Sequence, residues 1–129
     1  MRPLDNYKRT RIMTASPGEL LVMLYDGLLQ RVRAAKLAIE KDKPGVAGEH
    51  LGRAHDILNE LVRCLDPARS PELCENLMGL YHYCGRVLLK AIGDMDPEAC
   101  QEVYDLLRPM RDAWNEANEN MKTGKVVNG

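Results

Sequence analysis

The sequence has no phenylalanine, no excess of either charge, no paired-cysteine motif and no apolar run long enough to cross a membrane. Eighteen Lys and Arg against nineteen Asp and Glu leave a formal charge of −1, which argues against a chain whose task is to hold a polyanion. The one basic concentration, Arg2, Lys8, Arg9 and Arg11 against Asp5, lacks the interleaved aromatics of a single-strand binder and reads as a solvated arm. Nucleic acid is therefore not an expected partner. The four cysteines, Cys64, Cys74, Cys84 and Cys100, form no CxxC pair and fall inside helical patterns, as free thiols in a reducing compartment do. The first twelve residues carry no apolar core of a signal peptide. The densest apolar run, Leu20 to Leu29, is far short of the ~20 residues of a membrane span. A cytoplasmic protein with no membrane insertion is expected.

Signatures of catalysis are also missing: no HExxH, GxSxG, P-loop or GxGxxG occurs. His50 and His55 point to different sides of a helix, as do His82 and Cys84, so neither pair would share a metal ion. No Glu is followed by His three residues later, which removes a di-iron bundle. The reading is of a protein that is not an enzyme, with no cofactor and no metal.

What is present is a set of helix starts. Ser16-Pro17-Gly18-Glu19, Ser70-Pro71-Glu72 and Asp96-Pro97-Glu98 each put a capping side chain directly before a proline, where the missing amide costs nothing. Glu19, three residues after Ser16, adds a capping box. Asp42, ahead of Lys43-Pro44, offers a fourth start. These signals predict helices over roughly 17–41, 44–65, 71–92 and 97–122, behind an extended arm over 1–16 and before a flexible tail over 123–129.

Each helix carries an apolar seam stepping by three and four. The seams are Leu21, Tyr25, Leu28, Val32, Ala35 and Ile39; Ala47, Leu51, Ala54, Leu58, Leu61 and Leu65; Leu73, Leu77, Leu80, Cys84, Val87 and Ala91; and Val103, Leu107, Met110, Trp114, Ala117 and Met121. Such seams, joined by short loops, predict an all-α protein, an antiparallel up-down four-helix bundle. Pro109 removes a donor from the middle of the fourth helix, so a kink or break is expected there. Gly27 lacks a Cβ and would admit a close neighbour.

The first helix holds more apolar residues than one packing face absorbs. Leu20, Val22, Met23, Leu24 and Leu29 lie outside its seam, and Met78, Tyr81 and Leu88 outside that of the third. A wide stripe that packs two neighbours accounts for any single one of them. Taken together they suit a groove, and seven Met suit an adaptable surface that receives amphipathic helices.

The stretch NYKRTRIMTASPGELLVMLYDGLLQRVRAAKLAIE, followed in order by HLGRAHDILNELVRCLD, ENLMGLYHYCGRVLLKA and EVYDLLRPMRDAWNEA, resembles the FliS family of bacterial flagellar secretion chaperones. Tyr7, Thr14-Ala15-Ser16-Pro17, Met23-Leu24-Tyr25-Asp26-Gly27, Asn76-Leu77, Leu80-Tyr81 and Arg111-Asp112-Ala113-Trp114 carry the likeness by their order and spacing. Pro109 departs from the pattern. The resemblance implies a helical bundle that binds the disordered C-terminal segment of flagellin, blocks premature polymerisation and helps deliver it to the export gate. It also implies an N-terminal lid, displaced by client, with Tyr7 and Ile12 in that role and Tyr7 docking the gate. The surplus apolar residues and the resemblance together nominate Leu20, Met23, Leu24, Leu28, Met78 and Tyr81 as client-binding. A structural or regulatory bundle that buries the same surface in a homodimer is the alternative.

Overall fold

The computed structural model describes residues 9, 10 and 12–124. They form an all-α bundle, and no strand occurs among them. Four long helices follow one another: α1 (Pro17–Glu40), α2 (Pro44–Arg63), α3 (Pro71–Asp94) and α4 (Pro97–Lys122). Every one begins on a proline, whose fixed φ suits the first helical position.

The caps divide into two kinds. Ser16 Oγ accepts from the Glu19 amide at 3.2 Å and donates to the Glu19 carboxylate, and Asp96 Oδ1 accepts from the Glu98 amide at 2.9 Å. The other two expected caps do not form. Asp42 has a φ of 57° and stands outside the helix, leaving Lys43 at the cap position without a side-chain bond. Ser70, at φ −155° and ψ 84°, makes no side-chain cap bond either. The extended arm expected over 1–16 is corrected in its described part, where residues 9, 10 and 12–14 are helical, with Thr14 Oγ1 donating to the Thr10 carbonyl at 3.0 Å; residues 1–8 and 11 lie outside the described residues. Ser16, held extended ahead of Pro17, separates this stretch from α1.

α1 packs most extensively, along both α2 and α4, and α3 closes the bundle against the same two neighbours. Side-chain hydrogen bonds join α1 to α4 through four residue pairs in descending register: Gly18 O with Asn118 (2.8 Å), Asp26 with Arg111 (2.7 Å), Arg33 with Tyr104 (3.5 Å) and Lys36 with Gln101 (2.9 Å). The core draws on the predicted seams, with Tyr25, Leu28, Val32 and Ala35 from α1, Leu51, Ala54, Leu58 and Leu61 from α2, Cys84 and Ala91 from α3, and Val103 and Leu107 from α4, and it also takes in Leu29, Tyr81 and Leu88, expected outside them, with Ala99 and Cys100. Its largest members are aliphatic or tyrosine, as a sequence without phenylalanine requires.

The seams fail at one end of the bundle. Leu73 is 43% exposed and Met121 81% exposed, and Ala117 is exposed as well. Met121 lies past Asn118, which already reaches the first turn of α1 at Gly18, so little of α1 remains opposite it. Gly27 is a further correction. A Cβ there would meet only Ile57 Cδ1, at an ordinary 3.5 Å, so no close approach depends on the glycine. α4 is one helix through Pro109, so the expected break does not occur.

Candidate functional site

The polar residues that α1, α3 and α4 bury together sit near the open end. Tyr25 of α1 and Tyr81 of α3 share a hydroxyl–hydroxyl bond of 2.6 Å inside the core, their rings 6.4 Å apart and tilted by 57°. Burial pushes both phenols above their ordinary range. For Tyr81 the bond to Tyr25 adds to that rise, whereas for Tyr25 the bond to Tyr81 and the nearby Trp114 oppose it. Trp114 Nε1 is the only buried side-chain nitrogen or oxygen without a hydrogen-bond partner among the described residues. One residue along α1, Asp26 receives both Nε and Nη2 of Arg111, at 2.7 and 3.4 Å. That forked pairing raises the guanidinium's affinity for its proton. Two short strings eighty-five residues apart, one around Tyr25-Asp26 and one around Arg111 and Trp114, are thus joined at one level of the bundle.

Around this level lies an apolar cavity of about 210 Å³. Leu21, Leu61, Leu65, Leu73 and Leu77 form its walls, Tyr81 and Trp114 its polar part, and Asp66, Arg69 and Ser70 of the α2–α3 loop its rim. Cys64 and Cys74 also face it as free thiols. A cavity with apolar walls and a few polar groups is the usual form of a recognition site. Here it arises because α3 enters the bundle late: the first turn of α3 leaves Leu73 uncovered.

The six nominated client residues separate. Leu28 and Tyr81 are core, 0% and 2% exposed, and in this arrangement neither presents itself to another chain. Leu28 is consumed by its own seam, and Tyr81 by the bond to Tyr25. Leu20, Met23, Leu24 and Met78 are half-buried. The first three share a face of α1 by their spacing of three and four. Of the six only Tyr81 lines the apolar cavity. Ile12 is 51% exposed, and Tyr7 lies outside the described residues. Leu73 and the loop residue Arg69 were missed by the sequence reading. Leu73 looked like seam, and no local signal marks a seam position that its neighbours fail to cover. No cluster of metal-ligating side chains occurs among the described residues.

A sequence model described as the flagellar protein FliS matches residues 1–121. The chain belongs to the FliS family. Among FliS relatives, the flagellar secretion chaperone of Bacillus subtilis is 34% identical over 127 residues, covering 98% of this chain and 94% of that protein. The Salmonella typhimurium chaperone is 37% identical, over 81% of this chain and 78% of its own length. That of Escherichia coli is 36% identical over 82% and 79%. The names of these FliS proteins place them in flagellar biogenesis and export as chaperones, and FliS is not an enzyme family. None of the described helices is long and apolar enough to cross a membrane.

Proposed function

We propose that the protein is a cytoplasmic export chaperone that binds the C-terminal segment of flagellin, prevents its premature polymerisation and assists its delivery to the flagellar export gate. The observation that carries this reading is the FliS match over residues 1–121, which takes in arm and bundle alike. The client covers Leu20, Met23, Leu24 and Met78 and continues toward the open end of the bundle, ordering as it buries apolar surface. The arm over residues 1–16 acts as a lid through Ile12 and Tyr7, with Tyr7 also docking the gate. The scaffold in this reading is an up-down antiparallel four-helix bundle with a kink at Pro109; the descending register of the α1–α4 bonds supports the direction of those two helices.

The test is calorimetry with the C-terminal segment of the flagellin encoded in the same genome. One-to-one binding is expected, and no detectable heat overturns the reading. Met23→Glu is expected to weaken that binding at least tenfold while circular dichroism stays helical. Equal loss of helicity and binding would place Met23 in the core instead.

A further inference from the structure

A second concavity lies away from the apolar cavity, between the middle of α1 and the middle of α4. It is a cleft of about 290 Å³ with a different chemistry: Arg33, Arg108, Arg111, Tyr104 and Gln30 surround it, with Asp26 at one side and Leu29 in its floor.

The charges do not cancel. Arg111 is held by Asp26 at 2.7 Å, and Arg108 by Asp112 at 3.3 Å, with Asp112 also 3.4 Å from Arg111. Two carboxylates therefore serve three guanidiniums. The one left over is Arg33, which is exposed and has no ion-pair partner among the described residues. Among the described residues its hydrogen bond and its ring contact are both with Tyr104: the ring centre is 5.5 Å from the guanidinium carbon and the hydroxyl is at 3.5 Å. The Tyr104 hydroxyl also accepts from Arg108 at 2.8 Å. With both lone pairs occupied, its own proton is left to donate, and no acceptor for it is present among the described residues. A spare guanidinium and a spare O–H donor thus face one cleft, held by α1 and α4, and both can donate to one acceptor of negative charge.

We propose that this cleft is a docking site for a carboxylate-bearing side chain, glutamate or aspartate, of a protein segment lying along the α1–α4 groove. One net positive charge matches a monoanion. The cleft is several times the size of a carboxylate group, and buried Leu29 gives an aliphatic stem something to cover. Planar, forked pairing to a carboxylate is what a guanidinium does best. The proposal stands apart from flagellin binding, since its residues are not those assigned to the client.

The test is nuclear magnetic resonance of the full-length protein, following the arginine Nε–Hε signals. The probe is a blocked nonapeptide of alanine with three glutamates, beside its all-glutamine counterpart and inorganic phosphate. The glutamate peptide is expected to shift Arg33 and residues near Tyr104, and the glutamine peptide to leave them in place. Arg33→Gln is expected to weaken the peptide about tenfold, with Arg33→Lys intermediate and rising salt weakening all three. Both substitutions are at an exposed position, and dispersed amide spectra check the fold. Shifts centred elsewhere, equal binding by the glutamine peptide, or an Arg33→Gln variant that binds as before would overturn the proposal. Displacement by phosphate at concentrations below that of the peptide would overturn it in favour of a small-anion site. Client calorimetry on Arg33→Gln is expected to be unchanged, so this proposal and the chaperone reading fail separately.

Discussion

Tyr25 and Tyr81 show how much can rest on two atoms. Each hydroxyl is buried, and each has the other as its hydrogen-bonding partner at 2.6 Å. Tyr81→Phe strands the Tyr25 oxygen, so a loss of about 1–2 kcal/mol in urea unfolding is expected. The double Tyr25→Phe, Tyr81→Phe variant is expected to lose less than the sum of the singles, because neither hydroxyl is then left without the other. Strict additivity would contradict the pairing. Gly27 makes the opposite case. A Cβ there has room at 3.5 Å from Ile57 Cδ1, so Gly27→Ala is expected to stabilise the protein by about 0.5–1 kcal/mol through helix propensity. A destabilised variant would mean that the close approach expected from the sequence exists after all. Neither conclusion was legible in the residues alone: tyrosine at position 25 fits the seam, and glycine at 27 fits close packing, until the facing helix is known.

The helices themselves were far more legible, since their starts are written locally. Pro17, Pro44, Pro71 and Pro97 open all four, and the seams follow from positions three and four apart. What local signals misjudged was which polar side chain performs the capping. Ser16 and Asp96 cap, whereas Asp42 and Ser70 do not, because capping depends on the backbone angles of the loop and not on residue type alone. Pro109 is the clearest test at this scale. It is exposed, it gives α4 no donor toward the carbonyl of Asp105, and the helix nonetheless continues past it. Pro109→Ala is therefore expected to raise stability, by about 1–3 kcal/mol, without altering the fold. A thermal midpoint that does not rise would show that the proline's geometry is required by the packing of α4 on α1.

For the whole molecule, buried acids that stay protonated make alkalinity the stress to examine. Burial pushes the thiols of Cys84 and Cys100 up to about 11, and the phenols of Tyr25 and Tyr81 upward as well. In the unfolded chain the same groups release their protons from roughly pH 8.5 for thiols and about pH 10 for phenols. Above that range the native state holds more protons than the unfolded one. Stability from the two thiols is thus complete below about pH 8.5 and is lost as pH rises through 11, and that from the phenols begins to be lost only above about pH 10. The urea midpoint is expected to fall between pH 8 and 10.5, and less steeply in a Cys84→Ala, Cys100→Ala variant; a flat profile would contradict the burial. By itself the sequence determined the helices, their seams, the lack of charge excess and the family, because each is recorded in neighbouring residues or in their order along the chain. Tertiary structure alone decided that Tyr81 belongs to the core, that Leu73 is left uncovered, that Asp26 holds Arg111 and that Arg33 is left without a carboxylate among the described residues. Burial and pairing are properties of what stands opposite a residue, and only the packed helices supply that.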